Sequence, residues 1–166
     1  MTEATERKIH LLIVDDEVDF LEALGERLEL RDFHVRTVTN GNDALELCRT
    51  DKFDLALIDL KMPGMDGKDL LTRIKDEHRY LEVIILTGHG SLGSAVECAK
   101  LGAFSYLPKP YQLDELLKIL QDAYAERLKK KFAADVARTE DLLKIAQQES
   151  PRGILRRMKE LDDDER

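Results

Sequence analysis

The chain has 166 residues and 43% apolar content, which is enough for one domain of common size with an appendage. Its net charge of -8, with acids and bases interspersed, argues against nucleic acid or an anionic membrane surface as the main partner. No apolar stretch approaches the length that spans a bilayer, and a polar tail at residues 1–8 runs straight into a strand. We therefore expect a soluble, cytoplasmic protein without membrane contact.

Short apolar runs alternate with helical patterns along the first three quarters of the chain. The apolar runs predict strands at 10–14, 34–38, 55–58, 83–86 and 104–107. The residues between them predict helices at 18–30, 43–49, 67–75 and 94–101, and a fifth helix from Leu113. Strands that are apolar throughout are typical of a sheet covered on both faces. The pattern predicts an α/β fold, a doubly wound five-stranded parallel sheet.

Polar side chains stand where these strands end. Asp15 and Asp16 follow the first strand, Asp59 the third, Thr87 the fourth and Lys109 the fifth. A lone aspartate at such a place ordinarily starts a turn. In open α/β sheets, however, sites form outside the carboxyl ends of the strands, so we expect these residues to gather at one edge.

The chemistry of this set favours phosphoryl transfer over an apolar ligand. Adjacent carboxylates repel one another unless a cation neutralises them, and Mg²⁺ prefers a few carboxylate oxygens. Asp16 and Asp59 are candidate direct ligands, with Asp15 acting through water. Lys109 and the Thr87 hydroxyl are placed to stabilise the oxygens of a transferring phosphoryl group. Asp59 is the candidate nucleophile, and its product is an aspartyl phosphate.

Four motifs occur in a specific order over residues 9 to about 125. They are LIVDDE at 12–17, Asp59 with KMPGMDG at 61–67, TGHG at 87–90, and Lys109-Pro110. Together they resemble the receiver domain of two-component response regulators. Through the sequence TGHGS at 87–91, the chain is similar to receivers of nitrogen-type regulators more than to chemotaxis ones.

This resemblance implies a flavodoxin-like sheet and a defined chemistry. Asp59 is then the phosphoacceptor, Asp15 and Asp16 are the acidic pair, and the Lys61 backbone carbonyl is a further Mg²⁺ ligand. The donor is a phosphohistidine on a sensor histidine kinase or a phosphotransfer protein. The resemblance also implies a cis peptide bond before Pro110.

The resemblance further implies a switch formed by Thr87 and Tyr106. Phosphorylation would draw the threonine inward and let the aromatic ring of the fifth strand follow. The surface of helix four, strand five and helix five is then the readout. The alternative for Tyr106 is a half-buried strand aromatic with its hydroxyl in water.

The resemblance does not cover the end of the chain. We divide the sequence into an N-terminal tail at 1–8, a receiver domain at 9–127 and a helical C-terminal extension at 128–166. From Leu113 to Gln148 there is neither proline nor glycine, so a long helix is allowed. Its apolar or small residues form a stripe that needs a partner: Leu117, Leu120, Tyr124, Leu128, Phe132, Val136, Thr139, Leu143 and Ala146. Either the extended helix pairs in a homodimer, or the chain turns back near residues 129–131.

Residues 150–153 are predicted to end this helix, and a last short helix is predicted at 154–161. The segment 152–159 resembles the recognition helix of helix-turn-helix units only weakly. The spacing before it is too long for that turn, and the tail is roughly charge-balanced. A solvated amphipathic helix is the preferred interpretation, and nucleic-acid binding is disfavoured.

The sequence thus predicts a stand-alone receiver, not an enzyme beyond its own phosphorylation and dephosphorylation, whose tail serves dimerisation or partner docking. One alternative is a transcription regulator that uses the tail on DNA. Another is a Mg²⁺-dependent phosphatase with an aspartyl nucleophile. Such an enzyme has its nucleophile after the first strand, whereas Asp59 follows the third. Cys48 and Cys98 match no metal or redox spacing and are interpreted as small buried residues.

Overall fold

The protein is described by a computed structural model that covers residues 7–148 and 151–163. Its contacts divide the chain into two compact units, Met1–Ala125 and Glu126–Arg166, which are described separately.

The first unit contains a five-stranded parallel sheet with strand order β2-β1-β3-β4-β5. The strands are β1 (Ile9–Val14), β2 (Phe33–Val38), β3 (Leu55–Ile58), β4 (Glu82–Thr87) and β5 (Ser105–Pro108). The connecting helices are α1 (Val18–Glu29), α2 (Gly41–Thr50), α3 (Gly67–Glu77) and α4 (Leu92–Lys100), and α5 (Leu113–Gln148) follows β5. The predicted doubly wound, flavodoxin-like α/β fold with a C-terminal helical extension is confirmed.

Helix starts differ from the sequence-based bounds because short polar side chains cap them. The Asn40 side chain accepts the Asp43 N–H, so α2 begins at Gly41 and not at residue 43. Ser91 and Ser94 form a reciprocal capping box, so α4 begins at Leu92 and not at residue 94. β5 is likewise shifted by one residue, and Pro108 is accommodated because β5 is an edge strand.

The core lies in two layers, one on each face of the sheet. Successive side chains of a strand point to opposite faces, so Leu12 and Val14 join the layer under α2, α3 and α4. Leu11 and Ile13 join the layer under α1 and the first turns of α5. Because both faces are covered, the inner strands β1, β3 and β4 are apolar at most positions, which is why they appear as nearly continuous apolar runs.

The two cysteines are buried free thiols in the layer under α2 and α4. Burial raises the pKa of the Cys48 thiol to about 11, with a smaller contribution from the charge of Glu77. Burial also raises the pKa of Cys98. The expectation that both cysteines are small buried residues is confirmed.

We predict that neither thiol reacts readily in the folded protein. At pH 8 a thiol of pKa about 11 carries roughly 100-fold less thiolate than one at the ordinary value of 9.0. Alkylation by iodoacetamide should be slower than for the denatured chain by at least that factor at Cys48. Rapid labelling of the native protein at pH 8 would contradict this burial.

In the second unit, α5 continues without interruption to Gln148 and is followed by α6 (Pro151–Asp163). The alternative turn near residues 129–131 is therefore wrong. The predicted break at 150–153 is also wrong in its extent, because α6 begins at Pro151, and proline is favoured at the first position of a helix. Arg138 of α5 donates a hydrogen bond to Asp162 of α6, so the two helices meet. Within the described ranges, no helix is long and apolar enough to cross a membrane.

Candidate functional site

An acidic cluster forms where β1 and β3 end. Val14 and Ile58 are register partners, so the residues that follow them leave the sheet side by side. The Asp59 N–H donates to the Val14 carbonyl at 3.0 Å, which continues the ladder by one residue. As a result, carboxylate oxygens of Asp15, Asp16 and Asp59 all lie within 4.8 Å of one another.

The three carboxylates differ in exposure and in partners. Asp15 is 1% exposed, with one oxygen accepting the Glu17 N–H at 2.9 Å and the other accepting Lys109 Nζ at 2.6 Å. Asp16 is exposed to solvent. Asp59 is 3% exposed, and its Oδ1 is buried without a hydrogen-bond partner among the described residues. A buried carboxylate oxygen without a partner is costly, so a missing cation or donor is indicated.

This donor set fits Mg²⁺. Three carboxylates supply hard oxygen ligands, and exposed Asp16 leaves one side open for the water molecules that Mg²⁺ retains. Both oxygens of Asp15 already accept hydrogen bonds, which agrees with the expectation that it acts through water. Lys61 is exposed in the loop after β3, and the role of its carbonyl stays a prediction.

Lys109 reaches the cluster from the end of β5. Its Nζ pairs with Asp15 and also lies 3.8 Å from the centre of the Phe20 ring, a cation–π contact. The Lys109–Pro110 peptide bond is cis, as the resemblance implies. Phe20 was identified in the sequence only as an apolar residue of the first helix, and no motif there signals its contact with the lysine.

Thr87 ends β4 next to this site and is fully buried. Its Oγ1 accepts the His89 N–H at 3.1 Å, which holds the hydroxyl on the loop that leads to α4. His89 itself is exposed. The threonine oxygen therefore accepts one local hydrogen bond, and the same hydroxyl carries a proton that it can donate to another group.

Tyr106 lies on β5, half-buried, with its hydroxyl 3.1 Å from Ser94 Oγ. Ser94 belongs to the capping box of α4, so the tyrosine contacts the start of that helix. A Cβ added at Gly90 would overlap the Tyr106 hydroxyl, so only glycine leaves room for this position of the ring. Sequence reasoning missed both Gly90 and Ser94, and the only available signal was the run of small residues after Thr87.

A cavity of about 310 Å³ opens between the loops after β3 and β4, against Leu60, the residue that follows Asp59. Its lining includes Lys61, Lys68 and His89 from these loops and from α3. The Lys68 ammonium is paired with Glu97, and this hydrogen bond raises the pKa of Lys68. The cavity leaves a route from solvent to the segment that carries Asp59.

Gly67 lets the loop after β3 close against Asp59. A Cβ there would overlap the Asp59 carbonyl oxygen and the Leu60 Cα, which are backbone atoms that cannot swing aside. The Gly67 N–H also donates to the Leu60 carbonyl at 2.9 Å. The start of α3 is thereby fixed directly against the acidic site.

We predict that Gly67→Ala lowers the free energy of unfolding by about 1–3 kcal/mol, as overpacking does. The control is Gly93→Ala in α4, where the new Cβ meets only Ser91 Oγ at 3.8 Å. The control should gain about 0.5–1 kcal/mol from the better helix former. Urea unfolding measures both, and equal stability of the two variants would contradict the close approach at Gly67.

The fold and the acidic cluster define a receiver-type signalling domain and not a member of a catalytic enzyme family. The family model of the response regulator receiver domain matches residues 11–121, so the chain belongs to this family of two-component signalling proteins.

Relatives and solved structures agree with this assignment. The chain is 40% identical over 114 residues to the transcriptional regulatory protein GlrR of Escherichia coli, covering 69% of this chain and 26% of GlrR. It is 37% identical over 134 residues to the DNA-binding transcriptional regulator NtrC of Klebsiella pneumoniae, covering 79% of this chain and 29% of NtrC. The chain thus spans only about a quarter of the length of these relatives.

Among solved structures, the chain is similar to a CheY-like response regulator receiver domain protein of Methanospirillum hungatei. The TM-score is 0.71 at 29% identity, over 74% of this chain and 98% of that protein. That structure therefore matches the first unit almost in full.

Proposed function

We propose that Asp59 accepts a phosphoryl group from a phosphohistidine of a sensor histidine kinase or phosphotransfer protein, with Mg²⁺ bound by Asp15, Asp16, Asp59 and the Lys61 carbonyl. The observation that carries the proposal is the Asp59 carboxylate, which is buried within 4.8 Å of two further carboxylates and has one oxygen without a hydrogen-bond partner in the described part of the chain. Such a group needs a cation, and its oxygen can act as the nucleophile that accepts a phosphoryl group.

The transfer itself needs little from the protein beyond position and charge. An Asp59 oxygen attacks the phosphorus, the phosphorus–nitrogen bond to the donor imidazole breaks, and the imidazole leaves with a proton from solvent. Mg²⁺, when bound, neutralises charge on the phosphoryl oxygens. The Lys109 ammonium, already 2.6 Å from Asp15, and the Thr87 hydroxyl stabilise the same oxygens from the side of β4 and β5.

The switch follows from two local contacts. The Thr87 hydroxyl donates its proton to the phosphoryl group, and movement of the side chain towards that group draws its oxygen away from the His89 N–H, now at 3.1 Å. The Tyr106 ring can then move into the vacated space and release Ser94 at the start of α4. The contact between α4 and β5 is the element that phosphorylation biases.

The output proposed for this chain is self-association or partner docking in the cytoplasm. A homodimer would form through the surface of α4, β5 and α5 or through the extended α5. The other proposed partner is the histidine kinase or phosphotransfer protein that donates the phosphoryl group.

Transcription regulation is a second candidate, because the relatives are transcriptional regulators. Arg152, Arg156 and Lys159 are exposed basic side chains of α6 that would contact the phosphates of DNA. Binding of duplex DNA that weakens steeply with salt and is lost on replacing these residues by alanine would support it.

We predict that the purified chain gains the mass of one phosphoryl group when incubated with acetyl phosphate and Mg²⁺, and that Asp59→Ala does not. The matched control is Asp76→Asn, an exposed aspartate of α3. Asp16→Asn should lower the rate at least tenfold at limiting Mg²⁺, because one metal ligand is weakened. Intact mass spectrometry measures all four proteins, and an undiminished adduct in Asp59→Ala would refute the proposal.

We predict that Gly90→Ala shifts the Tyr106 ring towards its inward position without phosphorylation. The added methyl group occupies the place of the tyrosine hydroxyl, so the outward position is destabilised relative to the inward one. Tyrosine ring resonances in NMR report the shift, and affinity for beryllofluoride with Mg²⁺ should rise several-fold.

The control for this change is Gly88→Ala in the same loop. Its new Cβ would make only an ordinary contact with Lys109 Cβ at 3.9 Å. Identical Tyr106 resonances in Gly90→Ala and in the wild-type chain would contradict the prediction. They would show that the loop carrying residue 90 moves aside and that the Tyr106 ring does not.

A further inference from the structure

One face of the second unit leaves large apolar side chains in water. The exposed fractions are 50% for Leu128, 71% for Phe132, 41% for Val136 and 59% for Leu143. Steps of four, four and seven residues place all of them on one face of α5, over roughly 23 Å of helix. Leaving four such side chains exposed forgoes a sizeable hydrophobic stabilisation.

The contact with α6 that the described residues make lies on a different face of α5. Arg138, which bonds Asp162 of α6, lies on another side of α5 together with the partly buried Ala134, Leu142 and Ile145. At about 100° per residue, that side is roughly 120° around the helix axis from the exposed stripe. α5 therefore has two apolar faces in this unit, and contact with α6 uses one of them.

The charges beside the exposed stripe are arranged asymmetrically. Lys129 and Glu140 are both exposed and are separated by 11 residues, just over three full turns, so they lie along the same edge of the stripe. Lys129 stands near its first apolar residue and Glu140 near its last. Asp135, also exposed, lies along the opposite edge.

This arrangement distinguishes the two ways in which α5 can pair with a copy of itself. In an antiparallel pair, like edges face each other, so Lys129 of each copy meets Glu140 of the other, and the attraction occurs twice. On the other edge the two Asp135 side chains approach each other near the middle of the contact, which adds one repulsion. In a parallel pair, opposite edges face each other, so Asp135 of each copy approaches Glu140 of the other, and two repulsions result. Charges at such flanking positions set the orientation of paired helices.

We propose that the second unit binds a second copy of this chain through an antiparallel α5–α5 contact, with a two-fold axis close to Val136. Leu128 then packs beside Leu143 of the other copy, and Phe132 packs beside its Thr139. The proposal rests on the self-association proposed above but not on phosphorylation of Asp59, so the two can fail separately.

The contact is tested first by molar mass of the full chain in multi-angle light scattering. The wild-type chain and Asp59→Ala are expected to be dimers at micromolar concentration, whereas Phe132→Lys and Val136→Lys are expected to be monomers. The matched control is Leu30→Lys, because Leu30 is a leucine of the first unit that is 84% exposed. A monomeric wild-type chain overturns both this proposal and self-association through the tail.

Orientation is tested by charge exchange. Lys129→Glu or Glu140→Lys alone should weaken the dimer about tenfold, since each turns two attractions into two repulsions, and the double exchange should restore it. A parallel pair predicts the opposite sign for Glu140→Lys, which would then strengthen the dimer by removing the repulsion from Asp135.

Disulfide trapping gives an independent measure of orientation. Leu128→Cys mixed with Leu143→Cys should form a covalent heterodimer under mild oxidation, whereas each variant alone should not. The native thiols are buried, and the wild-type chain controls for them. Efficient trapping of Leu143→Cys with itself would overturn the antiparallel arrangement and leave self-association intact.

Discussion

The buried charge at the end of β3 is the constraint on which the first unit depends. Asp59 lies among carboxylates at the edge of a sheet whose two faces are fully covered, so water cannot solvate it from either layer. The Lys109 ammonium offsets part of that charge through Asp15, and the lysine is itself held over an aromatic ring. The loops around the cluster hold the carboxylates and the Lys109 ammonium close together while leaving part of the Asp59 charge unneutralised.

A short series of contacts connects the acidic cluster to the outer face of α4 and β5. Thr87 and Lys109 sit at the ends of neighbouring strands, and the Lys109 N–H donates to the Thr87 carbonyl at 2.8 Å. Tyr106, three residues before Lys109, contacts the first turn of α4 through Ser94. A change of charge at Asp59 is therefore only a few bonded or hydrogen-bonded contacts away from the outer face of α4 and β5.

Much of this could be predicted from the sequence, for identifiable reasons. The apolar strands and the polar residues at their ends are local patterns, and a parallel sheet necessarily brings those ends to one edge, so the fold and the grouping of Asp15, Asp16, Asp59 and Lys109 followed. The contacts of Phe20, Gly90 and Ser94 could not be predicted. They depend on side-chain packing between elements distant in sequence, and an aromatic residue in an amphipathic helix or a glycine in a loop has no distinctive pattern. The absence of proline and glycine from Leu113 to Gln148 correctly allowed the continuous α5, whereas the start of α6 at Pro151 was not predicted.

The uninterrupted course of α5 has a consequence for how the chain acquires its structure. Starting a helix is unfavourable, whereas extending one is nearly free, so short helices rarely persist alone in water. The first turns of α5 are anchored in the core by Leu116, Leu120 and Ala123, and the residues that follow are added to a helix that already exists. The core of the first unit thus stabilises the first turns of α5, from which the rest of the helix extends. The exposed part of α5 is therefore helical because the α/β domain before it has already started the helix.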